Sequence, residues 1–277
     1  MLIPSLALAQ RQYRLVTAEK ELLQKTLKGS ITVLSELLSQ AKPTVFSAGL
    51  RLKEYGIQVA EALELPNIWQ IEVSALLAQI GCISLPTDIL NKKYAGLELS
   101  AEEEEMWHNY PEVGARLLDR IPRLDDVTKM IRWQQKRFDE FDKELDKTEF
   151  EEVLTGAQIL RAAIDFDLLI FQGRSPKKAV AQLRSRPGVY NPKVLDAFAR
   201  IHFQEHVRTV SLPVHDIVVG MIAEEDIAAK NGALILPKGQ EITWSILQAL
   251  YNFNRQVGII EPITVSIGPK NEKNRDS

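Results

Sequence analysis

The sequence predicts a mainly α-helical chain: a helical bundle with a long N-terminal helix before it and a small β-rich domain after it. Three observations carry this. Between Ser5 and Gln40, with no Pro and one Gly, Leu15, Leu22, Leu23, Leu27, Ile31, Leu34 and Leu38 recur mostly three and four apart. Helical periodicity then runs almost unbroken from Thr44 to about Phe203. After His206 the texture changes to short apolar runs punctuated by Asn231-Gly232 and Lys238-Gly239, the first a strong hairpin signal. The divisions expected are 1–42 (amphipathic signalling or dimerisation helix), 43–204 (helical domain), 205–268 (β-rich domain) and 269–277 (disordered tail).

Pro43 ends the first helix, because proline removes a donor and clashes with the preceding turn. Glu19, Lys20, Glu21 and Lys25 cover its other faces. Two readings stand. The helix packs on its own domain, or it dimerises through Leu23, Leu27 and Leu34, since ~35 residues would reach ~50 Å.

Val45 to Leu63 and Ile68 to Ile80 form the next two helices. Val73, Ala75, Leu76, Leu77 and Ala78 make the second apolar all round, hence buried. Ser100 and Glu103 form a capping box that opens a helix through His108. Pro111 starts another with Val113, Leu117 and Leu118, and Asp125 caps one that reaches Phe138. Residues 139–152 are acidic and read as solvated. Helices follow at Val153 to Phe171, Pro176 to Leu183 and Pro192 to Phe203.

In the last domain, Val207 to Leu212, Ile217 to Ile222, Ala233 to Leu236 and Gly258 to Ile267 read as strands of a small barrel or sandwich. Thr243 caps a helix to Asn254. The glycines of GALILPKG are turn residues, because no helix-opening Lys-Ser/Thr follows them.

Composition removes several classes. The 277 residues carry 34 Lys+Arg against 37 Asp+Glu, a net charge of −3, so nothing favours polyanion binding over the whole molecule and no nucleic-acid partner is expected. Cys82 is alone, which excludes a disulfide framework and a cysteine-rich zinc cage. No apolar run approaches the roughly 18 residues of a membrane span. No basic flank precedes the short apolar N-terminus, so a cytoplasmic protein without membrane partners is expected.

LLAQIGCISLPTDILNK, beginning at Leu76, resembles the LLHDIGKIGIPDAILNK segment of HD-GYP phosphodiesterases, metal-dependent hydrolases of cyclic di-GMP. The match continues in register through LSAEEEEMWHNYPEVGARLL, IPRLDDVTKMIRWQQKRFDEFD, GAQILRAAIDFDLL and YNPKVLDAF, about residues 44 to 203. With VVGMIAEEDIAAKNGALILPKGQEI, the arrangement is similar to response-regulator outputs with a divergent HD domain. The resemblance implies an HD-like helical bundle. It also implies two or three Fe or Mn ions held by His and Asp, with a metal-bound hydroxide attacking phosphorus.

Each ligand position that the resemblance implies holds another residue. The HD pair falls on Ala78 and Gln79, the lysine after it on Cys82, and the His of the HP motif on Tyr110. The HHE block falls on Gln134, Gln135 and Lys136, and the later ligand Asp on Ile164. The first-helix His belongs between Ser47 and Leu50, a stretch without one, and the GYP signature is replaced by DEFDKEL. Neutral amides, a methyl group and an alkyl chain cannot replace imidazole and carboxylate around such ions. No cofactor, no metal and no catalysis by the family mechanism are therefore expected.

Lys92 matches a family lysine that contacts substrate phosphate, and Arg137 and Asp139 sit where the family keeps an Arg and an Asp. With Lys93, Lys129, Arg132 and Lys136 nearby in sequence, they read as a cyclic-dinucleotide cleft or as a solvated face. His202 and His206, four apart, are the candidates for relocated metal chemistry, without the Glu that a metal helix needs. His108 and His215 have no evident partner. Cys82 reads as a packed apolar group, Asp167 as a structural hydrogen-bonder, and Trp69, Trp107, Trp133 and Trp244 as core.

The expected function is a non-catalytic signal-transduction output module in two-component or cyclic di-GMP signalling. It acts through protein contacts, as a homodimer and with a receiver-domain protein as partner. Family relatives carry a phospho-receiver before such a helix. The ~40 residues here are too few for one, so a separate protein supplies the input or the start lies further upstream.

Overall fold

A computed structural model describes residues 22, 24–37, 48–141, 147–172, 174–201 and 208–267. Of the residues singled out above, Leu15, Glu19, Lys20, Glu21, Leu23, Leu38, Pro43, His202, His206 and the 269–277 tail lie outside these.

Among the described residues, ten helices and five short strands follow one another. Helix α1 covers residues 24–37. Helix α2 (Ala48–Ala62) packs on α3 (Ile68–Leu77), and a 3-10 turn, Ile80–Ser84, leads to α4 (Thr87–Ala95). Next come α5 (Ala101–Leu118), α6 (Asp125–Arg132) and the long α7 (Lys147–Phe171), against which α2, α6, α8 (Pro176–Arg184) and α9 (Pro192–Phe198) all lie. The last domain has strands β1 (Arg208–Leu212), β2 (Ile222–Ala223), β3 (Ile227–Ala228) and β4 (Leu234–Leu236), then α10 (Trp244–Gln256) and β5 (Ile263–Ile267).

The predicted fold class holds, and several details change. Helix α5 runs straight through Pro111, where a new helix was expected. Its Ser100–Glu103 capping box is formed. Asp125 is the first helical residue of α6 rather than its cap. With Asp126 it places negative charge at the positive end of the helix dipole. That helix stops at Arg132, short of Phe138. After α3 the chain makes a 3-10 turn, Ile80–Ser84, with Cys82 buried inside it. The acidic stretch is helical from Lys147 onward.

The strands form two small sheets, β1-β5-β2 and β3-β4, both antiparallel. Of Ile217 to Ile222 only Ile222 is in a strand, β2, and a 3-10 turn at Val214–Asp216 precedes the stretch. The hairpin at Asn231-Gly232 forms as the dipeptide predicts. Gly232 has φ 85°, and the Asn231 side chain accepts from the Ala233 N–H at 3.1 Å. Thr243 caps α10 through the Ile246 N–H.

Helix α1 packs inward through Ile31 and Ser35, with Leu27 against the same core and Lys28 paired to Glu72. Leu27 therefore does not belong to an outer seam with Leu34. The outward apolar residues are Leu22, Val33, Leu34 and Leu37.

Two apolar clusters hold the molecule. One lies among α1, α2, α3, α6, α7, α8 and α9. The other joins Cys82, Ile89, Leu90, Tyr94, Tyr110 and Phe171 of the helical body to Met221, Leu250, Ile263 and Val265 of the β-rich domain. The helical body and the β-rich region thus share a core. Among the described residues no helix is long and apolar enough to cross a membrane.

Candidate functional site

The positions matched to metal ligands converge where the end of α3 meets α2, α5, α7 and the turn after α6. Ala78 and Gln79 follow α3 directly and are buried. The Gln134 side chain donates from Nε2 to the Ala78 carbonyl at 2.9 Å, so the HD and HHE positions touch through an amide. Ile164 lies inside the apolar core of α7. Gly81 lets α5 approach this turn, for a Cβ there would run into the Tyr110 carbonyl oxygen.

Gln135 has a role created by Pro111. Proline has no N–H for the carbonyl four residues earlier, that of Trp107. The Gln135 Nε2 donates to that carbonyl at 3.1 Å, and its Oε1 meets His108 Nδ1 at 3.0 Å. The helix survives its internal proline because a neighbouring loop supplies the missing donor. His108, expected to lack a partner, also faces Glu104 at 3.6 Å.

Sequence reasoning missed the principal ion pair. Arg51 on α2 donates to Asp167 on α7 through two parallel bonds, Nε to Oδ1 and Nη2 to Oδ2, each 2.7 Å. Arg51 is 5 % exposed and Asp167 4 %. Burial works against the Arg51 charge, but the facing carboxylate wins and raises the guanidinium pKa above its ordinary value. Burial, and then the Asp167 charge, push the Tyr94 phenol up, and Gln79 turns its amide toward that hydroxyl. Arg51, Asp167, Tyr94, Gln79 and Cys82 are thus one electrostatic neighbourhood. The sequence did hold a signal: Arg51 falls on the buried face marked by Ala48, Leu52 and Tyr55, where a cation needs a partner.

Burial also pushes the Cys82 thiol up, so it is the packed apolar group expected. The Tyr110 phenol is raised well above its ordinary range, again by burial first. Its hydroxyl, Gln79 Oε1 and Gln134 Oε1 are buried without a hydrogen-bond partner. Three of the positions matched to ligands thus end in neutral oxygens without a hydrogen-bond partner. Among the described residues no three His, Cys, Asp or Glu side chains are grouped to share an ion.

The candidate ligand-binding residues are dispersed. Lys92 Nζ is clasped by both oxygens of Glu103, at 2.6 and 2.8 Å, and this bond holds the Glu103 carboxyl below its usual range. Arg137 pairs with Asp139 at 2.8 and 2.7 Å and donates to the Pro187 carbonyl at 3.2 Å. Hydrogen bonding to Arg137 likewise lowers the Asp139 carboxyl. No hydrogen bond or ion pair among the described residues links Lys92 to Arg137. Each already has a carboxylate.

The family model described as HD domain matches residues 32–194. No curated protein matches the chain. Among solved structures, Bd1817, a HDG"Y"P protein from Bdellovibrio bacteriovorus, is similar at a TM-score of 0.48 and 17% identity. The alignment covers 64% of this chain and 62% of that one, so less than two thirds of the neighbour's length has a counterpart here.

Proposed function

Given that the chain belongs to the HD domain family, whose members are usually metal-dependent phosphohydrolases, we propose that it is a non-catalytic HD-GYP-like module working in two-component or cyclic di-GMP signalling. The observation that carries this reading is the buried Arg51–Asp167 pair. Asp167 is a buried carboxylate on α7, one turn from the matched position Ile164, and an internal guanidinium binds both of its oxygens at 2.7 Å. A divalent ion seated beside it would meet a fixed positive charge in a poorly screened interior.

The neighbouring side chains support the same reading. Gln134 and Gln135 spend their amide donors on the Ala78 and Trp107 carbonyls, and Ile164 packs as core. The residues present do not fit the family's metal. The scaffold instead offers surfaces for protein contacts, and on α1 the outward Val33, Leu34 and Leu37 form the apolar face we assign to a partner.

The test is metal and turnover together. Protein purified without chelator and supplied with manganese or ferrous iron should hold no stoichiometric metal and leave cyclic di-GMP intact. Bound metal with hydrolysis would overturn the proposal. If that activity vanished on replacing His202 and His206, the chemistry would have moved to that pair.

A further inference from the structure

We propose that, against the expectation of no membrane partner drawn from overall composition, the outward face of α8 and α9 is an electrostatic docking surface for an anionic lipid bilayer. Residues 174–200 contain seven Lys and Arg and one acidic residue, a local charge of +6 in a chain whose total is −3. All seven cations are exposed. The inference is independent of whether the HD cleft is catalytic.

The helical register gathers these charges on one side. Ala179 and Leu183 bury the inner face of α8, while Lys177 and Arg184, seven residues or two turns apart, share the outer one. On α9, Val194, Leu195, Ala197 and Phe198 face inward. Lys193 lies three residues before Asp196, and Arg200 four after it in the following turn. Arg184 bonds Asp196 at 2.8 Å, which joins the two outer faces edge to edge. Arg186 lies 3.8 Å from Asp165. Arg174, Lys177, Lys178, Lys193 and Arg200 make no ion pair among the described residues.

The surroundings of the cations select the partner. None of the exposed large apolar side chains falls within 174–200, so the face lacks the buried anchor around which protein interfaces are built. Tyr190 and Phe198 are buried, leaving no exposed ring to stack single-stranded bases. Both helices lie flat on α7 and flank each other, rather than presenting one helix to enter a duplex groove. A layer of cations without an apolar wedge suits a plane of phosphates and carboxylates, where each Lys or Arg near the surface strengthens binding about fivefold.

The full chain should sediment with vesicles of equal phosphatidylcholine and phosphatidylserine at low salt, and not with phosphatidylcholine alone. High salt should release it. Arg174→Gln/Lys177→Gln/Lys178→Gln should weaken binding on the order of a hundredfold. Arg120→Gln/Arg123→Gln/Lys238→Gln, which removes exposed cations elsewhere, should leave it unchanged. Circular dichroism should be the same for both variants. No sedimentation, equal loss in the two variants, or tighter binding to duplex DNA at equal phosphate concentration would each overturn the proposal.

Discussion

Two interior regions hold this chain together by different means. Around the end of α3 the helices meet through polar groups: the Arg51–Asp167 pair, the Gln134 and Gln135 amides, and three oxygens left without partners. Where the helical body meets the β-rich domain, contact is almost wholly apolar. Phe171 packs against the Tyr94 ring, 4.8 Å between centroids, and against Gly220. The first region depends on matched partners, because burying a charge is tolerated only while its opposite faces it. The second depends on area and fit, which degrade gradually. A centre emptied of its ligands stays polar but must pair with itself; a packing seam has no such obligation.

Removing one partner of the pair is the sharpest way to break this contrast. Asp167→Asn leaves the Arg51 guanidinium buried against a neutral amide and should destabilise the chain by about 3–5 kcal/mol in urea titrations. Arg51→Met/Asp167→Leu removes both charges and should recover most of that loss. If the double variant proved as unstable as the single one, the pair would be worth more than its own desolvation.

At the seam, Phe171→Ala should lose about 3 kcal/mol, the range for emptying a buried aromatic site. The effect should couple to that of Asp167→Asn rather than simply add, because Tyr94 faces both and the two residues stand one turn apart on α7. Gly220 sharpens the test. It sits at φ 90°, and a Cβ there would come within 2.5 Å of the Phe171 ring. Gly220→Ala should therefore cost less in the Phe171→Ala background, though not nothing, since the backbone strain remains. Full additivity would mean that ring and glycine do not constrain each other.

What the sequence disclosed follows the same division. Signals a few residues long were legible: the Ser100–Glu103 box, the Asn231-Gly232 turn and the Thr243 cap each involve neighbours in the chain. The convergence of Ala78, Gln79, Tyr110, Gln134 and Gln135 was legible through resemblance alone. Arg51 and Asp167, 116 residues apart, were not, because no local periodicity encodes which helix a buried arginine will face. Leu27 and Leu34 share one helical pattern, and only packing shows that the first turns inward while the second does not.

Pro111 was misread for a related reason, and it yields the finest of these tests. A proline ten residues into a helix ordinarily ends it, because the carbonyl four residues back is left unbonded. Here the donor comes from Gln135, outside the helix. Gln135→Ala should therefore cost about 1–2 kcal/mol, the loss of a half-buried amide bond and the exposure of the Trp107 carbonyl's deficit. In a Pro111→Ala background the backbone N–H returns to that carbonyl, and the same substitution should cost much less. A cost unchanged between the two backgrounds would assign Gln135 to its His108 contact instead, and would leave the continuity of α5 to its capping box and packing.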